Sequence, residues 1–317
     1  MRILLLLILF PIVNYGQTVF NDAENLYTNK EYQRAAKILA PFVAKNPNNL
    51  EAIELFGDAN GQQKKWDTAI EQYKLLVSKK PNNANYHYKY GGALGMKALT
   101  ISKIRALGII GDVKNAFLKA ADLDPNHIDT RWALVELYMQ LPGIVGGSKS
   151  TSLKYANQLE KLSKVDGYLA KGYIYEYDDE PELAEKYYKL AITEGGSVTC
   201  YDKLTKLYEK EGKSNEAIIV LETAQIKHQR NAMHYQIGKI CADYNVQLEK
   251  GEYCLQVYIQ NYSVQDGVPK GWAYYRLAQI YKHKNNKEAA LASINQAILE
   301  LPDIAVFKAE KQLINKI

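Results

Sequence analysis

The string Gly143-Ile144-Val145-Gly146-Gly147-Ser148-Lys149-Ser150 comes nearest in this chain to a phosphate-binding loop. Such a loop spells G-x-x-x-x-G-K-[ST], because backbone N–H groups and a lysine must together cradle phosphate oxygens. Here Ser148 stands at the second obligatory glycine, and the segment follows a helical pattern rather than a strand. The glycines therefore read as a tight loop with positive backbone angles. Five histidines (His87, His127, His228, His234, His283) show no metal-binding spacing, and no metal is expected. Gly91-Gly92-Ala93-Leu94-Gly95 lacks the preceding strand that a dinucleotide fingerprint requires, and no nucleophile elbow is present. Asp178-Asp179-Glu180 stands before Pro181, where carboxylates are solvated or cap a helix. No catalytic residue, cofactor or small-molecule substrate is expected, and the chain reads as a non-enzyme.

The elements that carry these residues repeat. Pro47 and Pro81, Ala35 and Ala69, and Gly57 and Gly91 are each 34 apart. Tyr175 and Tyr208, Ala184 and Ala217, and Ala191 and Ala224 are each 33 apart. A fixed period of about 34 marks stacked helix–turn–helix units, each too small to bury its own apolar face. Leu204, Tyr208, Gly212, Ala217, Leu221 and Ala224 carry the pattern in one unit. Gly172, Tyr175, Ala184, Tyr188 and Ala191 repeat it, as do Ala278, Tyr281, Ala290, Ile294, Ala297 and Pro302. Small residues such as Gly172 and Ala184 let two helix axes approach to about 8–10 Å, with Tyr175 and Tyr188 filling the space beside them. Asn residues after Pro47, Pro81 and Pro125 are placed to cap the next helix.

At these positions the chain resembles the tetratricopeptide-repeat (TPR) family, over residues 18–303. The resemblance implies an all-α, right-handed superhelical solenoid of about eight helix pairs with a C-terminal capping helix over 304–317. In that helix Lys308, Glu310, Lys311 and Lys316 are expected outward. The segment from Pro142 to Lys149, with Asp122 to Pro125 before it, is similar to a loop in exported bacterial TPR proteins, and Leu248-Glu249-Lys250-Gly251 to their penultimate repeat. That likeness brings a fold and no reaction. The proline expected at the end of this repeat is missing at Val165-Asp166-Gly167, which leaves the joint to the next repeat open.

Arg2 followed by the apolar run Ile3 to Val13 reads as a signal peptide over residues 1–16, leaving one solenoid over 17–317 in the periplasm, or secreted. The net charge of +5 is mixed along the helices rather than blocked, which excludes a dedicated nucleic-acid stripe. Three cysteines are an odd number for an exported chain. Cys241 and Cys254 fall on the two helices of one repeat, so a disulfide is open to them; buried free thiols are the simpler reading.

Three places break the period: insertions at about 96–111 and 141–151, and a polar loop from Ser263 to Gly271 that reads as a longer connector before the last repeat. The first reads as an extended first helix and a longer turn. Its Leu99, Ile101, Ile104 and Leu107, mixed with Lys97, Lys103 and Arg105, suit either contact with a membrane surface or, preferably, packing on the protein itself. Both insertions are expected on one edge, gathering Ile101, Ile104, Ile109, Ile110, Ile144 and Val145 into a satellite core or a partner-binding knob.

In the TPR family the first helix of each pair lines a concave groove. Carried over, this implies a peptide groove with Glu51 and Glu54 in an acidic first half, and with Trp132, Tyr173, Tyr177, Tyr235, Trp272 and Tyr275 further on. Aromatic rings offer contact area at little cost in side-chain entropy. The expected role is a protein-binding scaffold of the cell envelope, its acidic half suited to a ligand with positive charge. The alternatives are a self-assembling envelope component or a holder of exported polypeptides.

Overall fold

The computed structural model describes the backbone from Phe10 to Ile317 and side chains from Thr18 onward. The leader expected over residues 1–16 thus lies outside the described side chains, and residues 1–9 outside the described backbone. The described residues form seventeen α-helices and no strand, with two short 3-10 turns at Gly143–Val145 and Val264–Asp266. Four antiparallel pairs make a first compact unit ending at Leu162: α1 (Phe10–Thr28) with α2 (Tyr32–Lys45), α3 (Leu50–Gln62) with α4 (Trp66–Lys79), α5 (Ala84–Ala98) with α6 (Lys103–Leu123), and α7 (Ile128–Gln140) with α8 (Lys149–Leu162). From Ser163 a second unit holds α9 (Lys164–Tyr177) with α10 (Pro181–Glu194), α11 (Val198–Lys210) with α12 (Ser214–His228), α13 (Asn231–Tyr244) with α14 (Leu248–Gln260), and α15 (Lys270–His283) with α16 (Lys287–Glu300), closed by α17 (Ala305–Asn315). The expected eight pairs and capping helix are all present. Among the described residues no helix is long and apolar enough to cross a membrane.

One turn geometry recurs within the pairs. The amide of Glu31 donates to the carbonyl of Leu26, Lys65 to Asn60, Glu180 to Tyr175, Lys213 to Tyr208 and Asn286 to Tyr281. Each of these turns carries a left-handed residue: Lys30, Lys64, Asp179, Gly212 and Asn285. This closure satisfies carbonyls that the first helix would otherwise leave open. Between pairs, Asn49 and Asn83 accept from the amides of Ala52 and Tyr86, as their place after proline implies. After Pro125 the cap is His127 rather than Asn126, its Nδ1 accepting from the Thr130 amide. The open joint resolves at Ser163, whose hydroxyl caps α9 without help from a proline.

Small residues set the helix approach. A Cβ at Gly172 would stand 2.3 Å from the Tyr188 ring. Tyr188 is fully buried, and Ala184 and Ala191 flank it at the same depth. Tyr175 instead stacks on Tyr187, centroids 5.5 Å apart.

Three expectations need correction. The extra length of the first insertion belongs to the second helix, not the first: α5 closes at Ala98 and α6 runs for 21 residues. Ser102 starts that helix early in extended conformation, and Gly108 and Gly111 do not interrupt it. In the capping helix Glu310 points inward, 6% exposed, and meets Lys282 at 2.5 Å. Its neighbours Phe307 and Ile314 bury on the same face, so the acid is carried in with them and paired there. The preferred packing of the first insertion's apolar stripe on the protein itself fails at Leu99, Ile104 and Leu107, for all three side chains stand in solvent.

The second insertion is the tight loop its glycines suggest. Gly146 takes a φ of 96°, and a Cβ on Gly147 would meet the Leu141 carbonyl oxygen at 1.7 Å. The Ser148 amide closes the loop on the Tyr138 carbonyl at 2.8 Å.

Candidate functional site

In the first unit, α3, α5 and α7 lie side by side as the first helices of successive pairs. Lys89 on α5 reaches back to α3, where its amine contacts Glu54 at 2.6 Å and the two Asp58 oxygens at 2.7 and 2.8 Å. Tyr73 donates to Asp58 at 2.7 Å, and Asn85 to Glu54 at 3.1 Å. Burial works against the charged Lys89 amine, but the pull of Asp58 and the hydrogen bonds to both acids outweigh it and raise its pKa. Burial, then the adjacent Asp58 charge, hold the Tyr73 hydroxyl well above the usual tyrosine range. The first half is therefore not the free acidic surface expected: Glu54 and Asp58 are spent on Lys89, while Glu51 and Glu24 remain exposed.

Beside this cluster lies a cleft of about 440 Å³, walled by Tyr27, Trp66, Tyr73, Tyr88, Lys89 and Met96. A second cavity of about 390 Å³ shares Tyr88, Gly92 and Met96 with it. It runs on between α5, α6 and α7 past Leu99, Ile110, Val113, Phe117, Leu137 and Leu141. Gly92 borders both, and a Cβ there would project into open space. The result is a trough, polar at the Lys89 end and apolar at the other.

The second unit is bound along its first helices by ion pairs. Glu209 on α11 meets Lys239 on α13 at 2.8 Å, and Asp243 on α13 meets Arg276 on α15. Arg276 also donates to Gln279 and lies over the Tyr275 ring, 5.1 Å from its centroid. Of the rings expected in a groove, Tyr177 is exposed, and it lies 6.0 Å from half-buried Tyr173 on α9. Trp132 is half-buried on α7.

Tyr235 and Tyr275 do not present a groove surface, each being only 6% exposed. Tyr235 leans on Tyr258, and Tyr275 stacks on Phe307 with centroids 5.1 Å apart. Trp272 meets the same Phe307 edge-on at 4.9 Å. For Trp272 and Tyr275 the reason is α17, whose Phe307 packs against both rings; Tyr235 is covered within its own pair by Tyr258.

The six insertion residues do not gather into one core. Ile101 lies beside Trp66 and Lys97, whereas Ile110 turns into the trough. Ile104 and Ile144 are 84% and 95% exposed, Ile109 and Val145 half-buried. Among the described residues no group of three or more metal-ligating side chains converges. Cys200, Cys241 and Cys254 are free and buried.

Tyr27, Trp66, Tyr88 and Met96 were missed in the sequence. Tyr88 could have been found, because it stands 34 residues after Glu54, at the same register position of the next repeat. Tyr27 and Trp66 belong to neighbouring helices and give no such signal.

The tetratricopeptide-repeat family model matches residues 165–194 and 273–300. A tetratricopeptide-repeat protein of Parabacteroides merdae has a similar crystal structure, with a TM-score of 0.50 and 14% identity, over 94% of this chain and 98% of that one. The C-terminal part of a TPR protein of Cytophaga hutchinsonii overlaps 92% of this chain and 98% of its own at 15% identity, TM-score 0.46. YrrB, described as a TPR protein with an unusual peptide-binding site, overlaps 62% of this chain and 98% of its own at 18% identity, TM-score 0.43. No curated protein matches the chain. Residues 165–194 and 273–300 are thus tetratricopeptide repeats, and the chain has the all-α fold built from them.

Proposed function

We propose that this protein is a non-catalytic binding scaffold that takes an extended or helical polypeptide segment in the trough of its first unit. The observation that carries this reading is a pair of adjoining cavities along α3, α5 and α7 that share Tyr88, Gly92 and Met96, with aromatic and aliphatic walls and a polar end at Lys89. Ligand sites combine such apolar walls with a few placed polar groups. Tyr88 and Met96, shared by both cavities, are the central contacts. Trp132, Tyr173 and Tyr177 are secondary contacts in this reading. The leader pattern supports export and a mature chain of residues 17–317 acting in the periplasm.

The test is photo-crosslinking from position 96, with a photoreactive amino acid replacing Met96, in envelope extract. A discrete polypeptide linked at 96 and lost with Tyr88→Ala supports the scaffold. Crosslinks only between copies of this chain, with mass rising with concentration, would replace it by self-assembly. A broad set of unfolded polypeptides would favour a holder of exported chains.

A further inference from the structure

We propose that the corner joining α5 to α6 inserts into an anionic lipid surface. Leu99, Ile104 and Leu107 are 71%, 84% and 55% exposed, and none is used by the trough's polar end or by the core. Ile104, Leu107, Gly108 and Gly111 recur at helical spacing on one face of α6, and all four are exposed. The glycines keep that face low, since a Cβ on either would meet no other atom. Ile144 projects from the neighbouring loop at 95% exposure. That loop is fixed beside α6, because a Cβ at Gly146 would lie 3.4 Å from the Lys114 amine. Lys114 is about 10 Å along the helix from Leu107. The α5–α6 corner thus raises Leu99, Ile104 and Leu107 into solvent, with Ile144 exposed on the loop beside the middle of α6.

The shape and the charge choose the occupant. A protein partner's anchors normally fill pockets, whereas Ile104 and Leu107 stand out from the surface at 84% and 55% exposure. Projecting aliphatic groups beside basic ones are the pattern of interfacial helices. Lys103 and Arg105 flank Ile104, both exposed and without an acidic partner. Lys97 on α5 is paired with Asp67, and the nearest acid on α6, Asp112, stands about 12 Å beyond Ile104 along the axis. The corner thus carries two uncompensated positive charges where an anionic headgroup layer would lie. Leu99 also borders the apolar end of the trough, whereas Ile104 and Leu107 line neither cavity, so the reading rests first on those two.

The experiment labels Ile104→Cys in the full chain with an environment-sensitive fluorophore. Cys200, Cys241 and Cys254 are buried, so the dye goes to the introduced thiol. Leu99→Cys is a second reporter, and Ile226→Cys, 75% exposed in the second unit, is the control. Vesicles of phosphatidylcholine are compared with vesicles containing phosphatidylglycerol. The expected result is a blue shift with at least about a twofold rise in emission at 104 and 99 on anionic vesicles, and none at 226. Lys103→Glu with Arg105→Glu should weaken the response about tenfold or more. The control separates insertion of the corner from tethering by the apolar residues 3–13, which all labelled chains share. Unchanged emission at 104, or equal changes at 104 and 226, overturns the proposal. A response at 104 that requires an added envelope protein also overturns it and assigns the corner to a protein partner.

Discussion

Replacing Lys89 by Met tests whether the first unit is held by charge across repeats. The substitution keeps the aliphatic stem but removes an amine that bridges Glu54 and Asp58. Removing one partner of a fully buried pair costs about 3–5 kcal/mol, because the other charge is left uncompensated. Here the three side chains keep 21%, 24% and 22% exposure, so water can reach the orphaned acids. A loss of about 2–3 kcal/mol is the discounted expectation. In a repeat stack the loss should be local, since each repeat contacts only its neighbours. Hydrogen exchange by mass spectrometry should therefore show α3 and α5 opening while α13 to α16 keep their protection. Adding Glu54→Gln and Asp58→Asn should return part of the loss. The sign with pH is fixed by the raised Lys89 pKa: the stabilisation is full below about 10.5 and is lost as pH rises through the folded value. Urea unfolding between pH 9 and 12 should show that loss in the wild type and a flatter profile in Lys89→Met, both retaining the parallel contribution of Tyr73. A loss below about 0.5 kcal/mol, the level of an exposed pair, would refute the argument.

Gly172→Ala should lose about 1–3 kcal/mol in chemical unfolding, because its Cβ would stand 2.3 Å from a fully buried Tyr188 tied to Glu176. Phe307→Ala should cost about 3–5 kcal/mol and strip exchange protection from α15 to α17, since the ring is the one on which Trp272 and Tyr275 converge. Burial pushes the Cys241 thiol up to about 12 and Cys254 up to about 11, so neither should react with a disulfide reagent at pH 8 until the chain is unfolded. Burial disfavours the Glu252 carboxylate, but hydrogen bonds from Lys284 and Tyr281 outweigh it and lower its pKa. Its contribution is thus present above about 4.5 and lost as pH falls through the folded value; Glu252→Gln should flatten that acid limb of the melting temperature.

The helical pairs were legible because their determinants are local and periodic. Gly172 and Ala184 mark a close approach, Asn49 and Asn83 mark caps, and both act within a few residues of themselves. Inter-repeat chemistry was not. Glu54 looks like a groove acid until Lys89 arrives from the next pair, and nothing in the period says that its amine will turn back. The length of the first insertion was visible, but its assignment to α6 depended on where one extended residue, Ser102, stops the turn. Tyr275 and Trp272 had the register of groove residues; the final helix changed their surroundings without changing their register. Tyr88 is the opposite case: the period itself indicates it, 34 residues after Glu54.

Lys89 reaching back to Asp58 across 31 residues, and Lys239 to Glu209 across 30, mean that neighbours in these stacks recognise one another. A repeat array is often imagined as interchangeable bricks, lengthened or shortened by duplication. This one is closer to a keyed sequence. Excising α5 and α6 would bring α7 against α3, and the residue in register with Lys89, counted from the helix starts at Ala84 and Ile128, is Ala133. Two carboxylates would then face a methyl group. The order of the repeats is therefore itself inherited information, and loss or gain of a whole pair in a related chain should come with matched charge changes on both sides of the seam.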